Sequence, residues 1–282
     1  MSAPEDTLGA ALRDFALDQI AQVDIQLARA GAWQHNGVHR ARKAIARLRA
    51  VIVLLRKSAL EDRSIERRLR DFARGLSELR DTQAALATAK SLRERRGTLA
   101  PWREIAQELK VQRERALSAA LMADPGCAAH RNEVADLRSA IAAIAWTRLR
   151  ESEVSLRLAR SGKRAHHARL LAIESNAEEP RHQLRRRCRR LLLQIDLLHA
   201  IAHAAARPHA AAAARGLLEQ AFGAHLKRGK RKRLVEKLGW EQDLRVLRRS
   251  LPTHLAAPNT KASRDLRELL VQAQSDVNEH LT

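Results

Sequence analysis

Tyrosine is absent from this 282-residue chain, and aromatic residues make up only 2% of it. Readers of single-stranded nucleic acid stack bases on aromatic rings. Trp33, Trp102, Trp146 and Trp240 are too scattered to form such a platform and are expected to fill helix junctions. Two cysteines, Cys127 and Cys188, make no disulfide framework, which points to a reducing compartment. No glycine-rich phosphate loop is present. No apolar run is long enough to span a bilayer. The stretch Met1–Thr7 is acidic and polar, without the apolar core of a secretory leader. The expectation is a cytoplasmic protein. Strand signals are nearly missing as well, because β-branched alternation never persists.

What the chain has in excess is positive charge. Lys and Arg number 53 against 32 Asp and Glu, a formal net charge of +21. Such an excess costs stability by self-repulsion and favours anionic partners: nucleic acid, an anionic membrane surface, or a phosphate polymer. A hydrophobic fraction of 45% with helical patterning separates it from a disordered basic tail. The length allows one large or two medium domains.

Ala, Leu, Arg and Glu fill long periodic segments, so the fold class is all-α. Helices are expected over about 8–30, stopped at Gly31, and from an Asn36 cap to about 57. Others cover 61–79, then 81–96 ending at Gly97, and run from Pro101 to about 122. After the turn Asp124-Pro125-Gly126, a long helix from about Ala128 is expected to break at Ser161-Gly162 and resume to Ile173. Glu178-Glu179-Pro180 opens a helix reaching about Ala206, with the acids placed to suit the helix dipole. An Ala-rich helix covers about 209–226. The basic run from Lys227 to Arg233 leads into a helical turn, a segment spans 240–250, and a last helix starts near Lys261.

One of these helices is written twice. Adding 143 to His39, Arg42, Lys43, Arg47 and Arg49 gives His182, Arg185, Arg186, Arg190 and Leu192. At about 100° per residue the first four fall on one face. The opposite face reads Ala41, Ile45, Leu48, Ile52, Leu55, and the same shift gives Leu184, Cys188, Leu191, Ile195, Leu198. Asp81 and Asp243 form another pair, 162 apart, and Pro101 before Trp102 is matched by Pro258 before the last helix. The expected organisation over residues 5–282 is therefore two related helical bundles, 5–124 and 127–282.

Arg suits phosphate because its planar, permanently charged guanidinium makes paired hydrogen bonds to one group. A helix bearing such residues at these spacings forms a stripe that follows regularly spaced phosphates. No acid interrupts either stripe, between Val38 and Leu60 or between Arg181 and Gln194. His39 and His182 head their stripes. Among Arg neighbours an imidazolium is disfavoured until a polyanion arrives, so binding should be pH-sensitive. Each His is also readable as purely structural. A metal is not expected at His35/His39 or His199/His203, which lack a completing carboxylate or Cys. Asp81 and Asp243 are expected to orient an Arg of the stripes or to cap a helix. Neither has a second carboxylate or metal motif beside it for acid–base work. No cofactor and no catalysis are expected. The Lys227–Arg233 run is open between an extension of the binding surface and a disordered basic loop.

The segment His39-Arg40-Ala41-Arg42-Lys43 through Arg47-Leu48-Arg49, followed by Leu79-Arg80-Asp81, resembles the CHAD family, the conserved-histidine α-helical domain. Arg181-His182-Gln183-Leu184-Arg185-Arg186 through Arg189-Arg190, with Lys237-Leu238-Gly239 through Asp243, is similar in the second half. The resemblance covers nearly the whole chain. It implies two helical bundles related by a pseudo-two-fold axis, with a basic central groove or pore. It also implies binding of inorganic polyphosphate and association with polyphosphate granules and their proteins, without established catalysis. By position it assigns binding to His39, Arg42, Arg47, Arg49, His182, Arg185, Arg189 and Arg190. Ala46 stands where the family is often basic and Leu192 where an Arg would match Arg49, so the ligand path is expected to be asymmetric. Many relatives carry an N-terminal CYTH triphosphatase domain; this sequence has neither the strands nor the length for one and reads as a stand-alone binding module. The competing reading is a helical nucleic-acid-binding, nucleoid-associated protein, disfavoured because an inward-facing groove does not admit a duplex.

Overall fold

Apolar residues recurring every three or four positions fold this chain into helices joined by short turns. The computed structural model describes residues 6–31, 34–96, 100–175, 177–222, 228–251, 257 and 260–281, and no strand occurs among them. Trp33, Gly97, Lys227, Pro252 and Pro258, which carry an expected junction, stops and part of the basic run, lie outside the described residues.

Helix α1 spans Leu8–Leu27 and is capped by Thr7, whose Oγ1 accepts the Ala10 N–H at 3.1 Å. Helix α2 spans Gln34–Ile52 and tightens into a 3-10 turn, Val53–Leu55. Helices α3 (Arg63–Gly75), α4 (Ser77–Arg96) and α5 (Ala100–Ala123) follow. The turn at Pro125–Cys127 works as the sequence suggests, with Gly126 at φ 62°, where a side chain would be strained.

The expected break at Ser161-Gly162 is not there. Helix α6 (Ala128–Ala142) ends much earlier, and α7 (Glu151–Glu174) runs straight through the pair. The stop is made by Trp146, 2% exposed, whose indole N–H donates to Ile141 O at 2.8 Å and takes a carbonyl from the helix end. The restart is an N-terminal box: Glu153 accepts the Arg150 backbone N–H at 3.0 Å, with Glu151 also in the first turn. One interior glycine costs a helix only about 1 kcal/mol, too little to break 24 residues that are packed on their apolar face.

Helix α8 spans Glu178–Ala202 and α9 spans Pro208–Phe222. Pro208 opens α9 instead of merely ending its predecessor. Its first N–H groups are satisfied from far away in sequence, because Asp6 accepts from His209 N and Ala210 N at 3.1 Å each. Helix α10 (Arg228–Ser250) absorbs the described part of the basic run into one continuous helix, and α11 covers Lys261–Leu281.

The compact units do not follow the expected division at 124–127. One comprises Met1–Arg74 with Cys127–Lys232, the other Gly75–Gly126 with Arg233–Thr282. Each takes a piece from either side of the central turn. The reason lies in the apolar faces, which find cover across the repeat instead of within it. In the first unit α2 packs on α1 and α8, and α8 on α7 and α9. Gln194 of α8, fully buried, donates through Nε2 to Ala50 O of α2 at 3.2 Å. In the second unit one core joins Leu86 of α4, Trp102 and Ile105 of α5, Leu244 and Leu247 of α10, and Leu266 of α11. There the Trp102 indole N–H donates to Asp265 at 3.3 Å.

Two glycines permit close approach within the first unit. A side chain on Gly9 would land on the Trp146 carbonyl oxygen, and one on Gly37 on the Gln26 carbonyl oxygen.

Candidate functional site

The dry face of each repeated helix is dry in the fold. Ala41, Ile45, Leu48, Ile52 and Leu55 are buried, as are Leu184, Leu191, Ile195 and Leu198. Cys188 is half-buried, and burial pushes its thiol up to about 11, so it stays protonated and unreactive near neutral pH.

That packing turns the charged faces outward. On α2, His39, Lys43 and Arg47 are exposed while Arg42 and Arg49 are half-buried. On α8, Arg186 and Arg189 are exposed, and His182, Arg185 and Arg190 are half-buried. Arg42 donates to Ala73 O in the last turn of α3, so this stripe residue also terminates a helix.

The two stripes converge at Arg49 and Arg190. Burial lowers the Arg49 guanidinium pKa; Glu66 opposes the shift, and Arg186, Arg70 and Arg56 add to it. For Arg190 burial acts first and Arg49, Arg56 and Arg187 follow, pulling it down to about 10. Arg49 Nε is buried without a hydrogen-bond partner. Charged donors are seldom left this way, since an unpaired buried charge is costly. An anion at this point would relieve both the desolvation and the mutual repulsion.

Beside this cluster lies a cavity of about 380 Å³. Arg56 and Lys57 contribute from the chain leaving α2. Helix α3 contributes Arg63, Glu66, Arg67 and Arg70, and α7 contributes Arg157, Arg160, Ser161 and Arg164. On both helices the spacing is three, four and seven residues, which places each set on one face. Burial lowers the Arg157 guanidinium pKa, and Arg160 and Arg164 lower it further.

Two carboxylates belong to the cavity wall. Glu61 accepts the Lys57 backbone N–H at 2.9 Å. Glu66 receives both Nε, at 2.7 Å, and a terminal nitrogen of Arg56. Burial pushes the Glu66 carboxyl up, but the Arg56 hydrogen bonds and charge outweigh it and hold it below the ordinary glutamate range. A carboxyl held low in the folded chain stabilises it above the unfolded value, and loses that contribution as pH falls through the folded one. Glu66→Gln should therefore cost about 1 kcal/mol at pH 7. Thermal melts of both proteins should converge only as pH falls below the ordinary glutamate range.

Asp81 and Asp243 meet at Arg80. Arg80 Nη1 donates to Asp81 at 2.6 Å and Nη2 to Asp243 at 3.4 Å, all three in the unit that lacks the stripes. The shared Arg80 links α4 to α10. No group of three His, Cys, Asp or Glu suited to a metal occurs among the described residues. No described helix is long and apolar enough to cross a membrane.

Sequence reading missed the α3 and α7 sets. The signal was there, as Arg63-Glu66-Arg67-Arg70 and Arg157-Arg160-Ser161-Arg164. Neither set recurs at the 143-residue shift, and no sequence pattern says that the two helices face one cavity.

The fold and these cationic faces define an all-helical protein whose Arg residues cluster around Arg49 and Arg190. The CHAD domain family profile matches residues 11–252, so the chain belongs to the CHAD domain family, a family associated with polyphosphate binding. No curated protein matches the chain. The solved structure of PptA from Streptomyces chartreusis has a similar fold, with a TM-score of 0.57 at 14% sequence identity over 96% of this chain and 95% of that one.

Proposed function

We propose that this chain binds inorganic polyphosphate without turning it over, laying the polymer along the charged faces of α2 and α8. The observation that carries the reading is the convergence of Arg49 with Arg186 and Arg190, including a buried guanidinium N–H that lacks a partner. His39, Arg42, Lys43 and Arg47 extend the track on α2, and His182, Arg185 and Arg189 extend it on α8. The family's association with polyphosphate supports the choice of polymer. The protein acts in the cytoplasm at polyphosphate granules, where granule proteins are its neighbours.

The proposal keeps the duplication, with its pseudo-two-fold axis and basic groove. Two contacts support it. Gln194–Ala50 joins residues 144 apart, against 143 for the repeated helices. Arg80–Asp243 joins residues 163 apart, against 162 for the paired aspartates. Near-equivalent positions touch in this way when a two-fold axis passes between them.

Multivalent binding to a polyphosphate backbone releases condensed counterions, so the logarithm of affinity should fall linearly with the logarithm of salt concentration. A pull-down on immobilised long-chain polyphosphate, duplex DNA and heparin across a salt series tests this. Retention should persist to the highest salt on polyphosphate. Displacement of polyphosphate by duplex DNA at equal phosphate concentration would instead favour the nucleic-acid reading. Phosphate release with magnesium or manganese would overturn the absence of turnover.

A further inference from the structure

We infer that the cavity between α3, α7 and the chain leaving α2 is a second anion site, which takes a compact oligophosphate of the size of tripolyphosphate. It goes beyond the polymer track: none of the ten stripe residues lines it, and it stands whether or not α2 and α8 hold the long polymer.

Size is the first argument. About 380 Å³ falls at the low end of the roughly 300–1,000 Å³ typical of small-molecule sites. The cavity is half open to solvent, with Arg63, Arg67, Arg70 and Arg164 exposed, so a short ligand reaches both walls directly.

Charge is the second. Eight of the twelve lining residues are Lys or Arg and two are Glu. The acids already occupy Arg56 and Arg63. Arg67, Arg157, Arg160 and Arg164 make no ion pair among the described residues. The three on α7 span about 10 Å of helix axis, with Arg67 on the other wall. A ligand must therefore carry several negative charges along a short length. Orthophosphate is too small to engage them together.

The backbone fixes the shape of this wall. Lys57 sits at φ 58°, a left-handed cap just past the turn Val53–Leu55. It is held there by Glu61, which accepts its N–H, and by the Ser58 N–H to Leu55 O hydrogen bond at 3.1 Å. No lining residue is aromatic, so nothing would stack a nucleobase. ATP should bind no tighter than tripolyphosphate.

Calorimetry on the full chain with tripolyphosphate, orthophosphate and ATP tests the site. In Arg157→Gln/Arg160→Gln/Arg164→Gln, tripolyphosphate affinity should fall at least tenfold, while retention on long-chain polyphosphate changes less than threefold. In Lys43→Gln/Arg47→Gln/Arg186→Gln/Arg189→Gln the pattern should reverse. Arg67→Gln alone, on the opposite wall, gives a second reading if the triple variant fails to fold; it should weaken tripolyphosphate about threefold or more. Unchanged tripolyphosphate affinity in the α7 and Arg67 variants overturns the site, as does an equal loss in the stripe variant. ATP or orthophosphate binding tenfold tighter than tripolyphosphate also overturns it. Competition by long chains with free but not with blocked ends identifies the ligand as a chain terminus; competition by neither identifies it as the free oligophosphate. If wild type binds tripolyphosphate through α7 yet fails to retain the long polymer, the polymer reading fails and this site stands.

Discussion

Replacing Lys43, Arg47, Arg186 and Arg189 together by glutamate lowers affinity for long-chain polyphosphate by about ten-thousand-fold or more. These four are chosen because their side chains are exposed, so their exchange should leave the cores of α2 and α8 intact. Each charge-assisted hydrogen bond to a phosphate contributes about 1.5–3 kcal/mol. The low end applies where water remains, and every 1.4 kcal/mol is about tenfold. Four lost contacts therefore remove about four orders of magnitude before repulsion by the new carboxylates is counted. Filter binding at fixed salt measures the loss, with far-UV circular dichroism as the control for helicity. Retention equal to wild type, with helicity preserved, rules out the stripes as the polymer track.

The largest effect on stability is expected at two glycines. Gly9→Ala and Gly37→Ala should each cost at least about 3 kcal/mol, the upper end of overpacking penalties. The new methyl would meet a backbone carbonyl, Trp146 O in one case and Gln26 O in the other. Relief requires moving a chain segment, not turning a side chain. Gly216→Ala is the contrast. Its methyl meets nothing within 4 Å on α9, so it should gain about 0.5–1 kcal/mol from helix propensity. Denaturant or thermal melts of the three variants check both signs. A Gly37→Ala protein as stable as wild type would mean that α1 and α2 do not approach as described.

How much of this was legible in the sequence follows from how local each cause is. Helix type and dry faces depend on spacing within a few turns, and Ile45, Leu48, Leu184, Leu191 and Ile195 are all buried as their period implies. Ser161-Gly162 misled because propensity is weak beside packing, while the real stop is a single tryptophan bonding to a carbonyl five residues back. Asp81 and Asp243 share Arg80, adjacent in sequence to the first and 163 residues from the second, a pairing that no local pattern announces. The α3–α7 cavity needed to be seen in space. Its walls are some 90 residues apart in the chain, and each alone looks like a solvated cationic face.

The interleaving of the two compact units also bears on synthesis at the ribosome. The hydrophobic surface of α2 waits for α8, and that of α4 and α5 for α10 and α11. Neither core can close on a nascent chain until most of the polypeptide has emerged. Contacts this distant in sequence slow folding and leave apolar surface uncovered meanwhile, so newly made chains should depend on chaperone shelter more than sequentially arranged bundles do.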